Sequence, residues 1–322
     1  MCPDNQNILP DSDKLSLDQL SQELQTSILQ TLGCPVIGLA LDGEYAGSGV
    51  LVEIDGVSGI VTAEHVIFNR GMPFAKAQGL YTIPRFYSAD RVNDRTTHFS
   101  GTNVRIDLLS WYPEAPHRKN YKVRDAQWGP DLAFIRLPTA RRTAFETTLR
   151  AVRINFNSLA RDPEMRMRKA LDENQTLLAI VGAPGETIKD VSVSQVHKSF
   201  IMECRIFLAA GYDYQVKENG YDYFDVPVDR ESGLLLPKSF GGLSGGAVWR
   251  FRNLFGQNQS VHELQPDDYV LAGIAFWQDP ENPEPQFIRA HGPRSLYEKF
   301  LPKLRAWLKT PGVKQDLPTS AS

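Results

Sequence analysis

The chain has 322 residues, 42% of them apolar and 23% charged, enough to fill the core of one large domain or two small ones. Its formal net charge of −3 is too small to imply a polyanion or a membrane surface as partner, and basic residues are scattered along it. Three cysteines, Cys2, Cys34 and Cys204, are too sparse for a disulfide framework or a zinc site, so no metal and no cofactor is expected.

Met1-Cys2-Pro3-Asp4-Asn5 has neither the basic start nor the apolar run of a secretory signal. The most apolar run, 269–277, is too short to span a bilayer. The expected location is the cytoplasm.

In chain order, Ser16-Leu17-Asp18-Gln19 fits a capping box, and Leu17, Leu20, Leu24 and Ile28 follow at helical spacing. They predict an amphipathic helix over 17–32 that docks on the domain, within an N-terminal segment 1–33. From Cys34 the texture changes to short β-runs: 35–41, 49–54 and 59–62, with turns at Asp42-Gly43-Glu44 and Asp55-Gly56. Further strands are expected at 102–111, 132–137, 177–181, 200–207, 246–251 and 270–277.

Residues 139–175 are charged and helix-compatible, and the basic stretch 161–169 carries Asp162 and Glu164 among its arginines. It reads as a solvated helix opened by Asp162-Pro163 rather than a nucleic-acid patch. A second capping box, Ser295-Leu296-Tyr297-Glu298, opens a C-terminal helix in which Pro302 forces a kink or a new start. The end, 311–322, is a polar tail expected to be disordered. Many short strands without alternating helices predict a barrel or sandwich rather than a βαβ sheet. The expected units are 34–138, one β-barrel, and 139–309, a connection, a second barrel and the helix.

Three local patterns stand in the order His, Asp, Ser. An apolar strand runs into a histidine at Gly59-Ile60-Val61-Thr62-Ala63-Glu64-His65. An aspartate opens a strand at Pro130-Asp131-Leu132-Ala133-Phe134. A serine sits among glycines at Gly241-Gly242-Leu243-Ser244-Gly245-Gly246. The chemistry wants these residue types. A serine hydroxyl is a poor nucleophile until a base takes its proton, and imidazole titrates near neutral pH. A buried carboxylate on the other ring nitrogen fixes the tautomer, and glycines let a chain turn sharply and aim backbone N–H groups at a developing oxyanion. His98, His117, His197 and His262 lack such context.

At these residues the chain resembles the trypsin/chymotrypsin-like serine peptidases. Thr62-Ala63-Glu64-His65 is similar to their T-A-x-H motif, Asp131-Leu132-Ala133 to their D-[IL]-A, and Gly242-Leu243-Ser244-Gly245-Gly246 to their G-x-S-G-G. Leu271-Ala272-Gly273-Ile274-Ala275-Phe276-Trp277 resembles the strand lining their primary pocket.

The resemblance implies a mostly-β fold of two six-stranded antiparallel barrels closed by a C-terminal helix. It implies His65, Asp131 and Ser244 as triad, and the amides of Gly242 and Ser244 as oxyanion hole. Lys238, Phe276, Trp277, Gln278 and His291 are then the substrate-contacting residues, and Lys238 at the pocket floor would favour acidic side chains. The partners implied are a peptide or protein substrate, with room for a regulatory protein, and neither nucleic acid nor membrane. Leu243 stands where secreted relatives carry the aspartate that pairs with a freed α-amino group, so activation by N-terminal cleavage is not expected. No PDZ-like extension follows the peptidase region, which argues against a quality-control protease of that architecture.

Two other readings remain open on the sequence alone. One is a catalytically silent scaffold that binds a partner. The other is an α/β-hydrolase, for which Gly242-Leu243-Ser244-Gly245-Gly246 also satisfies G-x-S-x-G, with Asp268 or Asp279 and His291 downstream.

Overall fold

Asp55 and Gly56 stand between two apolar runs, and there the first hairpin closes: Ile54 pairs with Val57, and the two turn residues have φ of 49° and 80°. Two consecutive positive φ values are what a two-residue type I′ hairpin loop requires. The computed structural model describes residues 32, 35–41, 44–67, 80–83, 85–88, 96–97, 104–106, 111–113, 130–137, 154–155, 177–190, 200–203, 205–210, 212–217, 220–228, 239–251, 269–278 and 287–310.

The first part of the chain supplies β1 (Val36–Leu41), β2 (Glu44–Ile54), β3 (Val57–Thr62) and a one-turn helix α1 (Glu64–Ile67). Then come β4 (Leu80–Ile83), β5 (Arg85–Ser88), β6 (Thr96–Thr97), β7 (Val104–Ile106), β8 (Trp111–Pro113) and β9 (Ala133–Arg136). The second part supplies β10 (Ile154–Asn155), β11 (Leu177–Gly182), a 3₁₀ turn (Gly185–Thr187), β12 (Ile188–Asp190), β13 (Phe200–Glu203) and β14 (Arg205–Ala210). It continues with β15 (Asp213–Val216), β16 (Asp222–Pro227), β17 (Ala247–Phe251), β18 (Tyr269–Gln278) and β19 (Phe287–His291). A π-helix (Arg294–Phe300) then leads into α2 (Leu301–Leu308).

One sheet has the order β7-β4-β1-β2-β3-β9-β8 with β10 beside β2; a second has β14-β11-β17-β18-β19-β16-β15; a small third has β12-β13-β5-β6. All pairings are antiparallel except β10 with β2 and β13 with β5. The protein is therefore mostly β, as the sequence predicts. The large sheets have eight and seven strands where six and six were expected, and among the described residues neither ladder closes on itself. The hairpin β15–β16, which no sequence signal announces, extends the second sheet by two strands.

The period of two along β2 splits its side chains between two cores. Val50, Val52 and Ile54 join Val61, Phe134, Ala247 and Trp249, whereas Leu51 joins Ile37, Ile60 and Ile135 on the other face. The first cluster draws on both large sheets and is closed by Leu301 and Leu304 of α2, with Trp307 edge-on to Phe134 at 6.5 Å. Burial of this extent, at about 25 cal/mol per Å² of apolar surface, is what holds the two sheets against each other.

The C-terminal helix is present, but its start differs from the expected capping box. Ser295 does not cap its own helix; the buried Asp222 carboxylate of β16 accepts the N–H groups of Ser295 (2.6 Å) and Arg294 (3.1 Å), and the Ser295 hydroxyl (2.8 Å). Glu298 pairs with Arg294 instead, at 3.4 Å on the surface. Pro302 lacks an N–H to donate back along the helix, and the helix changes from π to α beside it.

The helix expected over 17–32 lies outside the described residues except for Leu32, which is buried. The helix over 161–169 and the tail 311–322 lie outside them too. Among the described residues no helix is long and apolar enough to cross a membrane, and no cluster of three or more His, Cys, Asp or Glu could hold a metal ion.

Candidate active site

His65 sits in α1, immediately after the strand β3 that delivers it, and Asp131 lies just before β9, the strand paired with β3. Thr62 pairs with Ala133 in that register, so His65 and Asp131 flank the same rung of the ladder. The result is a direct contact: His65 Nδ1 lies 2.5 Å from Asp131 Oδ2, and the His65 backbone N–H donates to Asp131 Oδ1 at 3.0 Å. Asp131 is buried and His65 half-buried, with its side chain 29% exposed. Binding through Nδ1 directs Nε2 to the opposite side of the ring.

Ser244 follows one tight turn and is the second residue of the next. Leu243 N–H donates to Phe240 O at 2.9 Å and Gly246 N–H to Leu243 O at 2.8 Å, with Gly242 and Gly245 at the third position of each turn, at φ of 92° and 85°. A negative φ followed by a positive one is the pattern of a type II turn, which favours glycine there. Gly245 is needed twice over, since a Cβ on it would fall 1.8 Å from Ser48 O. The turns are sewn to β18 by Gly245 N–H to Ala275 O and Ala275 N–H to Gly246 O.

β2 brings these pieces together. Ser48 N–H donates to Ser244 O at 2.7 Å, and a Cβ on Gly47 would meet Val66 Cγ2 at 2.6 Å and Ser244 O at 2.8 Å. Val66, the neighbour of His65, and the backbone of Ser244 thus both close on the Cβ position of the same glycine. The Ser244 hydroxyl itself makes a long hydrogen bond to Phe276 O, at 3.4 Å, and the structure shows none from it to His65.

The two amides expected to form the oxyanion hole share one property. Leu243, Gly245 and Gly246 all donate their N–H groups within the fold, whereas the N–H groups of Gly242 and Ser244 meet no acceptor among the described residues. Gly185 N–H takes Gly241 O at 2.6 Å, and in a trans peptide that turns the Gly242 N–H the opposite way.

Two residues at this junction carry no signal in the sequence, Tyr45 and Ser48. The buried Ser48 hydroxyl accepts from Ala183 N–H at 3.1 Å and donates to Gly242 O at 3.1 Å. The Tyr45 hydroxyl lies 2.6 Å from Ala183 O and 2.8 Å from Gly242 O. They hold the Gly242 carbonyl from the other sheet. Nothing in Tyr45-Ala46-Gly47-Ser48 marks that role locally, because every partner lies about 140 to 200 positions away.

The residues expected to contact substrate separate. Lys238 lies outside the described residues. Phe276 turns its ring into the core, stacked on His291 at 4.3 Å, so its carbonyl rather than its side chain faces Ser244. Trp277 is half-buried beside Phe287 and under the Arg289 guanidinium, at 5.1 Å. Gln278 clasps the segment before the serine, its Oε1 accepting from Phe240 N–H at 2.7 Å and its Nε2 donating to Ser239 Oγ at 3.0 Å. His291 corrects the expectation most: it is fully buried, behind Asp131 rather than on a pocket wall, and its Nε2 accepts the Asp131 N–H at 3.0 Å.

No protein-family model matches the chain, and no curated protein does. Solved structures do match. One comes from work on how aromatic interactions drive the coupled folding and binding of the intrinsically disordered Sesbania mosaic virus VPg protein. It is 12% identical, with a TM-score of 0.36, over 80% of this chain and 85% of that one.

Proposed function

We propose that the chain is a serine endopeptidase of the chymotrypsin-like fold, its two large sheets forming the two barrels. The observation that carries this is the contact of His65 Nδ1 with Asp131 Oδ2, made where Ser48 ties β2 to the Ser244 turn. In the proposed reaction Ser244 Oγ swings from Phe276 O to His65 Nε2, which takes its proton as the oxygen attacks a peptide carbonyl. Asp131 stabilises the imidazolium, and the amides of Gly242 and Ser244 receive the oxyanion. The proton then passes to the leaving amine, and water repeats the sequence on the acyl-enzyme.

A second reading, a catalytically silent scaffold, draws on the Ser244 hydroxyl resting on Phe276 O. The α/β-hydrolase reading is less supported, because the large sheets are antiparallel apart from the two-residue strand β10 and His291 accepts the Asp131 N–H.

Incubation with a peptide library, analysed by mass spectrometry, separates these readings. Cleavage that disappears in Ser244→Ala supports the peptidase, with acidic residues preceding the cut if Lys238 lines the pocket. Saturable binding of peptides without cleavage supports the scaffold.

A further inference from the structure

We propose that His291 is a positioning residue for Asp131, a second histidine that holds the carboxylate in register with the first. The proposal deepens the peptidase reading and takes its catalytic meaning from it. Asp131 is held at both ends. Its carboxylate grips α1 through His65 N–H and Nδ1, while its backbone N–H is held by the ring of His291 on β19, in the other large sheet. One residue therefore spans the two sheets, and the ring of His291 sets where its main chain lies.

The chemistry of that ring follows from its partner. A backbone N–H can only donate, so Nε2 must present a lone pair, and the neutral ring carries its proton on Nδ1. The ring has little room to turn: it is fully buried, stacked on Phe276 at 4.3 Å with 21° between planes, and flanked by Tyr223 at 5.3 Å. Behind it the backbone is pressed against β18, where a Cβ on Gly273 would lie 2.3 Å from His291 O. A site lined by Phe276 and Tyr223 would accept an apolar side chain on packing grounds. What such a side chain could not do is accept the Asp131 N–H, which would then be buried without a partner. Phe276, stacked on the same ring, also presents the carbonyl that faces Ser244, so His291 touches the supports of two members of the proposed triad.

The test uses the full chain labelled with ¹⁵N. A coupling across the hydrogen bond from the Asp131 amide to an unprotonated His291 Nε2 at neutral pH is expected; a protonated Nε2 overturns the proposal. In His291→Leu the downfield proton shared by His65 Nδ1 and Asp131 should move or vanish. The turnover number for peptide hydrolysis should fall about tenfold to a hundredfold at unchanged KM, the scale of a misplacement near 1 Å. His291→Gln, whose Oε1 stands near the position of Nε2, should restore both. A leucine variant with wild-type resonance and turnover overturns the proposal. If that variant does not fold, the wild-type coupling and the glutamine variant decide. Coupling and downfield proton present with Ser244 inert to all substrates would uphold the positioning and remove only the peptidase reading.

Discussion

Ser48 donates its backbone N–H to the carbonyl of Ser244 at 2.7 Å, and its hydroxyl donates to Gly242 O at 3.1 Å. One buried residue of the first sheet thus fixes two peptide units of the turns around Ser244, which lead into the second. Ser48→Ala should leave Ala183 N–H and Gly242 O short of a partner, costing roughly 1–3 kcal/mol of stability. If these bonds also aim the Gly242 amide, turnover should fall toward the 10²–10³ loss typical of a missing oxyanion donor. Tyr45→Phe, which keeps the ring, should do the same more mildly. Urea midpoints and a split of turnover from KM check both variants.

Gly245 and Gly56 have similar φ, 85° and 80°, but different surroundings. A Cβ on Gly56 would meet nothing within 4 Å, whereas on Gly245 it would strike Ser48 O. Gly56→Ala should therefore cost about 1–2 kcal/mol, the left-handed backbone penalty alone. Gly245→Ala should exceed about 4 kcal/mol or fail to fold, because Ser48 O belongs to the backbone and cannot step aside. Comparison of the two denaturation curves isolates the steric part.

Asp222 receives four hydrogen bonds in its carboxylate, from Ser295 N–H and hydroxyl, Arg294 N–H and the Tyr214 hydroxyl. Asp222→Ala should destabilise the fold by roughly 2–4 kcal/mol through the orphaned donors at the helix start. Glu298→Gln, on the exposed partner of Arg294, should change it by less than about 0.5 kcal/mol. Thermal denaturation of the two variants distinguishes a buried cap from a surface pair.

Partial desolvation first, and the Asp222 carboxylate second, raise the Tyr214 phenol well above its ordinary value near 10. The folded state thus holds a proton that the unfolded chain has lost. Its stabilising effect is complete below about pH 10 and declines as pH rises beyond that. Tyr214→Phe should reduce the alkaline loss of stability, measured as the difference in urea midpoint between pH 8 and pH 11.

Asp131→Asn tests the tautomer. If the substituted side chain keeps its oxygen on the His65 N–H, it must turn its amide NH₂ toward Nδ1. That pushes the ring proton to Nε2, where a base is needed. In chymotrypsin-type triads the same change costs about 10⁴ in turnover. The expectation here is a loss of that order with the fold intact, checked by steady-state kinetics beside circular dichroism.

Local patterns carry the parts of the fold that depend on neighbours in sequence. The Asp55-Gly56 hairpin, β3 running into His65, and the glycines around Ser244 are each visible within about ten residues. β16 escapes such a reading because Asp222 and Asp225 look out of place in a buried strand. Their partners, Ser295 and Arg289, arrive 73 and 64 residues later. Of the run 102–111 read as one strand, the described residues belong to β7 and β8, and those of 200–207 to β13 and β14, strands with different partners in each case. His291 departs from its expected place for a related reason. Sequence order sets it just beyond the strand of Phe276 and Trp277, whereas the antiparallel register of β18 and β19 carries it back along that strand to Ile274, behind Asp131.

The most direct test of the peptidase reading is covalent labelling of the intact chain with a fluorophosphonate, located by peptide mass spectrometry. The untrimmed chain should be modified on Ser244, because Leu243 is buried and offers no carboxylate to a new α-ammonium. Labelling should disappear in Ser244→Ala and slow sharply in His65→Ala. A wild-type chain that stays unlabelled, that labels only after trimming near Cys34, or whose Ser244 reacts at the same rate without His65, would contradict it.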